Sequence, residues 1–160
     1  MIGILSDTHD NLPMIERAVR LFNDAGCDLV IHAGDIVAPF AARALAGLRA
    51  PVKAVFGNCD GEIEGLVEAL VSLGEIRKPP FLFEHGGLRF LLVHSSAGLA
   101  AFLAADAPDI VVSGHTHRPE VRRKGKTLIV NPGEACGWVN GRATVCLFDP
   151  TALTADILPL

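Results

Sequence analysis

Short apolar runs alternate along this chain with stretches in which apolar residues recur every three or four positions. Met1–Leu5 predicts a strand. Met14, Ile15, Ala18, Val19, Leu21 and Phe22 fall at helical spacing and predict a helix over Met14–Asn23, with Asn11 as its cap and Pro13 near its start. Asp28–His32 and Val52–Phe56 predict two further strands. Each is followed by a helical pattern, around Pro39–Leu48 and within Glu64–Ser72.

The pattern then shifts. Phe81–Glu84 and Leu88–Val93 flank His85-Gly86-Gly87 and predict a hairpin. A short helix, Gly98–Ala105, leads to a strand at Asp109–Ser113, and the chain closes with strands at Thr127–Val130, Ala143–Phe148 and Ala155–Leu158. Alternating strands and helices followed by consecutive strands predict an α/β fold with mixed sheets covered by helices. No repeat or linker divides the 160 residues, so residues 1–160 are expected to form one domain.

Composition narrows the functional classes. Half of the residues are hydrophobic and a fifth are charged, which excludes wholesale disorder. A net charge of −4 argues against bulk nucleic-acid binding. The chain has no Tyr, so a phenol nucleophile is excluded. Neither a signal peptide nor a membrane span is expected: the first apolar run meets Asp7 at once, and the longest uncharged stretch, Ser95–Ala105, is too short to cross a bilayer. Cys27, Cys59, Cys136 and Cys146 form no C-x-x-C pair. A reduced, cytoplasmic protein is the expectation.

The chemistry lies just beyond the strands. Ile2–Leu5 leads to Asp7-Thr8-His9, Leu29–Ile31 to Gly34-Asp35, Val52–Phe56 to Gly57-Asn58-Cys59-Asp60, Phe90–Val93 to His94, and Ile110–Ser113 to Gly114-His115-Thr116-His117. Carboxyl ends of strands in α/β sheets are where ligand crevices form, so these segments are expected to converge. Imidazole and carboxylate together suit transition metals better than calcium or magnesium. Asp7 and His9, two residues apart, would point the same way on an extended backbone, as would His115 and His117. Asp35 is a carboxylate that can bridge two ions.

These motifs, in this order, resemble those of the calcineurin-like metallophosphoesterases. With Gly57-Asn58-Cys59-Asp60 and Asn131-Pro132-Gly133, the chain looks most like the small prokaryotic phosphodiesterases of the YfcE/MJ0936 type. The resemblance implies a four-layer α/β/β/α sandwich with two mixed β-sheets. It implies two divalent transition-metal ions, manganese first, with nickel, iron, cobalt or zinc as alternatives. One ion would take Asp7, His9 and His117, the other Asn58, His94 and His115, with Asp35 between them. Asp35, Asn58 and His94 would be the catalytic ligands, and a hydroxide bridging the metals would attack phosphorus. Two divalent ions, Asp7, Asp35 and the hydroxide would together carry a net charge of about +1, which suits a small phosphorylated or nucleotide-like substrate. A homo-oligomer is compatible with the pattern.

Departures from the family pattern matter. Cys59 stands where many relatives have a His that assists the leaving group, and it is expected to be a spectator. Asp60 either orients a neighbouring group or caps its loop. His32, inside a strand, is expected to be hydrogen-bonded support. Glu134 replaces the Ser usual after Asn-Pro-Gly. Arg118, Arg122, Arg123, Lys124 and Lys126 read mainly as a solvated hairpin turning at Lys124-Gly125-Lys126, with Arg118 as the one residue placed to guide phosphate. Two other functions are compatible with the fold: a non-catalytic scaffold like the retromer subunit Vps29, and a phosphomonoesterase using the same site.

Overall fold

The computed structural model describes residues 1–97, 99 and 107–160. Two mixed sheets pack face to face. The first comprises β1 (Ile2–Leu5), β2 (Leu29–His32), β3 (Val52–Val55), β4 (Gly74–Arg77), β10 (Thr144–Asp149) and β11 (Thr154–Pro159), in the order β11-β10-β1-β2-β3-β4. The second comprises β5 (Phe81–His85), β6 (Leu88–Leu92), β7 (Ile110–Val112), β8 (Glu120–Lys124) and β9 (Thr127–Asn131), in the order β5-β6-β7-β9-β8.

Period-two alternation explains the layers. Ile2 and Ile4 of β1 face Phe90 and Leu92 of β6, Ile110 and Val112 of β7, and Leu128 and Val130 of β9 in one buried core between the sheets. The intervening residues face outward. Leu5 joins Ile15, Ala18, Val19 and Phe22 of α1 (Leu12–Asp24) in a second core under the helices. Leu91, Val111 and Ile129 pack with Val93 and Leu99 on the outer face of the second sheet. The helix expected at Gly98–Ala105 lies outside the described residues, Leu99 excepted.

α1 is amphipathic, as its spacing predicts, and Pro13 sits in its first turn. Asn11 does occupy the position before the helix, but its side chain makes no cap. It donates instead to the carbonyl of Cys136 at 2.9 Å, tying the helix start to a loop 125 residues away. The second helical pattern resolves into α2 (Pro39–Ala44) and a 3-10 turn at Leu45–Gly47, and the third into α3 (Ile63–Leu70). Strand β4 is absent from the sequence reading. Among the described residues no helix is long and apolar enough to cross a membrane, and all four cysteines are free.

What positions chemistry is the parallel pairing. β1, β2 and β3 run parallel in one sheet, and β6, β7 and β9 in the other. Their carboxyl ends deliver loops to a common edge of the sandwich.

Candidate metal centre

The seven residues Asp7, His9, Asp35, Asn58, His94, His115 and His117 arrive at that edge from five loops and form one cluster. Asp7 Oδ1 lies 3.9 Å from His9 Nε2 and 3.4 Å from His117 Nε2. Asn58 Oδ1 lies 2.9 Å from both His94 Nε2 and His115 Nδ1. Asp35 stands between the two groups, its Oδ2 3.6 Å from His9 Nε2 and 3.4 Å from His94 Nε2.

The backbone that achieves this is not extended. Asp7 (φ 53°), His9 (φ 39°), Asp35 (φ 59°), His115 (φ 69°) and His117 (φ 60°) all occupy left-handed conformations. The expectation that alternate residues point the same way on an extended chain is therefore corrected: tight left-handed kinks aim these side chains. Such conformations cost about 1–3 kcal/mol each and persist where the surroundings over-determine them. Here the amide hydrogens of Asp7 and His9 are fixed on the carbonyl oxygens of Gly34 and Asp35, at 3.0 and 3.1 Å.

Close approach also demands glycine. A Cβ on Gly57 would lie 2.1 Å from Asp35 Oδ1, and one on Gly114 would lie 1.9 Å from Ser6 Oγ and 2.6 Å from Asp7 Oδ2.

The electrostatics call for a cation. Asp7 Oδ1 and His9 Nε2 are buried without a hydrogen-bond partner among the described residues, and both face the same space. Burial pushes the Asp7 carboxyl above the usual carboxylate range, with Ser6, His117 and His94 pulling it back only in part. Burial would raise Asp35 as well, but His94 and the Cys59 amide hold it well below that range. His94 Nδ1 is 2.8 Å from the carbonyl of Ala33, which can only accept. With Nδ1–H donated there, a bound cation would find Nε2 as the free ligand nitrogen, beside Asn58 Oδ1 and Asp35. Converging lone pairs on oxygen and imidazole nitrogen fit divalent transition-metal ions. Asp7, His9 and His117 form one group whose ligand atoms all lie within 4.8 Å, and Asp7, Asp35 and His94 form another.

Residues 1–152 match the calcineurin-like phosphoesterase superfamily domain. The chain belongs to that superfamily. It is 37% identical over 152 residues to phosphodiesterase MJ0936 of Methanocaldococcus jannaschii, with 92% of each chain covered. The solved structure of a novel archaeal phosphodiesterase superposes with a TM-score of 0.94 at 34% sequence identity, over 99% of both chains. Vps29 of Chaetomium thermophilum superposes with a TM-score of 0.71 at 18% identity, over 99% of this chain and 95% of that one, a likeness of fold alone. The two mixed sheets are those of the metallophosphoesterase fold.

Around the cluster of this calcineurin-like chain, the other singled-out residues fall into place. Asp60 is buried and accepts three backbone amide hydrogens, from Asp35 at 3.0 Å, Gly57 at 2.7 Å and Val37 at 2.7 Å. It therefore ties its own loop to the Asp35 loop, combining the two roles the sequence left open. Cys59 is exposed, and its amide donates to Asp35 Oδ1 at 2.8 Å. Burial, with Asp35 beside it, raises the Cys59 thiol above its ordinary value, so it stands protonated at neutral pH.

His32 is fully buried and sits below the cluster. Its Nδ1 accepts the Gly34 amide hydrogen at 3.2 Å, which leaves Nε2–H to donate to Thr8 Oγ1 at 3.1 Å. Burial pushes its pKa down to about 3, and it braces the loops as a neutral ring. Arg118 is exposed and lines a pocket of about 750 Å³ beside His117, with Asn140, Arg142 and Ile157. The other basic residues occupy the β8–β9 hairpin, which turns at Gly125 as expected.

Sequence reasoning left Glu134 without a role, yet it touches the cluster. It is fully buried, and its Oε2 lies 3.0 Å from His117 Nδ1. Burial would raise its pKa, but His117 and the amides of Val139 and Asn140 hold it down at about 2. The signal was available: β9 runs parallel to its neighbour β7, and Glu134 follows its carboxyl end as the other site residues follow theirs.

Proposed function

We propose that this chain hydrolyses phosphodiesters at a two-metal centre, with Asp7, His9 and His117 holding one ion, Asn58, His94 and His115 the other, and Asp35 between them. The observation that carries this reading is the pair of partnerless buried atoms, Asp7 Oδ1 and His9 Nε2, facing the same space beside Asp35. Superfamily membership makes the chain a hydrolase of phosphoester bonds that uses divalent metal; the count of ions, their identity and the diester preference are the proposal. Manganese is the first metal to test, then nickel, iron, cobalt and zinc. When bound, a pair of divalent ions lowers the pKa of water toward neutrality and draws charge from phosphoryl oxygens.

The chain's own contribution is position and charge. Asp35, fixed through Oδ1 by the Cys59 amide, keeps Oδ2 facing both donor groups. The rings of His9 and His117 stack with centroids 5.2 Å apart, which limits the rotation of both. The adjoining pocket falls in the size range of small-molecule sites. Its two guanidinium groups, Arg118 and Arg142, have no carboxylate partner among the described residues, which supports an anionic, small phosphorylated or nucleotide-like substrate.

The test is metal reconstitution of the metal-stripped protein, assayed on matched phosphodiester and phosphomonoester substrates. Divalent metal should restore turnover of the diester, and chelation or Asp35→Ala should abolish it. Faster monoester turnover would make it a phosphomonoesterase. No turnover with any divalent metal would leave the scaffold role of Vps29-like proteins.

A further inference from the structure

Glu134 makes more contacts to the site's surroundings than a loop residue needs. Its Oε2 receives the Val139 amide at 2.9 Å and the Cys136 thiol at 3.2 Å besides His117, and its Oε1 receives the Asn140 amide. The Asn140 side chain returns to the carbonyl of His117 at 2.8 Å, so the two loops are clasped twice. Each carboxylate oxygen already takes a backbone amide hydrogen, Oε2 from Val139 and Oε1 from Asn140, so the group acts as an acceptor. The proton between Glu134 and His117 must therefore sit on His117 Nδ1. In the neutral ring that leaves Nε2 as the nitrogen free to bind a cation, on the side of Asp7 Oδ1, 3.4 Å away.

We infer that Glu134 is the positioning residue that makes His117 a metal ligand, by fixing the tautomer in which Nε2 is free to bind. The inference rests on the metal-centre reading above. Carboxylates or carbonyls commonly take the second imidazole N–H of a ligating His, setting both ring orientation and basicity. Asp7 cannot do this for His117, because it faces the opposite nitrogen. His94 gets the same service from the carbonyl of Ala33, but no backbone carbonyl is placed against His117 Nδ1 among the described residues. A buried charge in the Asn-Pro-Gly-Glu loop supplies it instead.

A rival reading is a separate metal site, since His117, Glu134 and Cys136 offer ligand atoms within 4.8 Å of one another. A metal there would need a thiolate. In this structure Cys136 Sγ donates to Glu134 Oε2 at 3.2 Å, and the Val139 and Asn140 amides occupy the same carboxylate, so its lone pairs are already engaged. The group is hydrogen-bonded support.

Two measurements test the inference. In metal-free protein labelled with ¹⁵N histidine, at an alkaline pH where the imidazole is neutral, the side-chain nitrogen shifts should show His117 protonated on Nδ1 and bare on Nε2. A neutral His117 protonated on Nε2 would overturn the inference, and this measurement needs no variant to fold. Manganese titration by calorimetry should then find two ions in the wild type. In Glu134→Ser, which removes the carboxylate, one site should weaken by about 10–100-fold while the other stays within a few-fold. Equal weakening of both sites would mean that Glu134 only holds the fold, and unchanged affinity would mean that it does nothing for the metal. A wild type that binds no manganese, nickel, cobalt or zinc would instead sink the metal-centre reading itself.

Discussion

Asp60 accepts the backbone amide hydrogen of Asp35 at 3.0 Å and so holds in place the one carboxylate that faces both donor groups. The same Oδ2 accepts from Gly57, and Oδ1 accepts from Val37. Hydrogen bonds to an ionised group contribute about 1.5–3 kcal/mol each, and stranded amides cost more than absent ones. Asp60→Ala should therefore lower the unfolding free energy of the metal-free protein by about 3 kcal/mol or more. Asp60→Asn should lose less, because its amide oxygen can keep the two amides at the Oδ2 position while its NH2 opposes only Val37. Urea titrations of the three proteins check the ranking; identical midpoints would show that the clamp is unimportant.

Gly114 illustrates close approach at the edge of the cluster. An added methyl group would meet Ser6 Oγ at 1.9 Å and Asp7 Oδ2 at 2.6 Å, and neither atom sits on a long flexible chain. Gly114→Ala should push the His115–His117 turn outward. The expected cost is about 1–3 kcal/mol in stability, as for overpacking elsewhere, with a larger loss in metal affinity because His115 also donates its amide to Asp7 at 3.1 Å. Calorimetric metal titration set beside thermal unfolding separates the two. A variant with wild-type affinity would mean that the turn has room to move.

Glu75 on the edge strand β4 gives a pH prediction away from the cluster. It pairs with Lys53 across the β3–β4 register and accepts from Arg77 Nε at 2.7 Å. Lys53 and then Arg77 lower its carboxyl below the ordinary value, against a modest burial effect. A lowered folded-state value adds stability above the unfolded pKa and loses it as pH falls through the folded one. With a third of the side chain exposed, the contribution is held to about 0.5–1 kcal/mol. Glu75→Gln should thus be less stable than wild type by that amount at neutral pH and equal to it once pH has fallen below the lowered folded-state value. A gap of the same size at both pH values would refute the linkage.

The same strand shows why part of the fold was illegible. Gly74-Glu75-Ile76-Arg77 buries only Ile76, so it carries no apolar run, and it is held as a strand by parallel pairing to β3 and by ion pairs across it. Strands β1, β6 and β9 were legible because both of their faces are covered and nearly every residue is apolar. The cluster residues were legible as a set because each follows a strand. What the sequence concealed was how they are aimed: left-handed backbone at Asp7 and His9 depends on amide hydrogen bonds from one loop to another. The position of Glu134 after β9 was legible, but its partner was not, since His117 lies 17 residues away and meets it only once β7 and β9 pair.

Arg118 and Lys124 share a basic segment and differ in place. Arg118 follows His117 directly and lines the pocket beside the cluster. Lys124 ends β8 at the exposed turn of the hairpin, where it pairs in register with Thr127. A phosphate anion approaching the cluster would pass the guanidinium of Arg118 but not the ammonium of Lys124. Exposed charge contacts are worth about 1 kcal/mol, and reversing a charge replaces attraction by repulsion. Arg118→Glu should therefore raise KM by about five- to tenfold with kcat nearly unchanged, because the interaction exists before the reaction begins. Lys124→Glu should leave both constants within about twofold, since its distance from the cluster lets salt screen it. Steady-state kinetics on one diester at two ionic strengths decides the matter. Equal effects from the two reversals would mean that the segment acts as a diffuse field, and a fall in kcat alone for Arg118→Glu would place that residue at the reacting phosphoryl group.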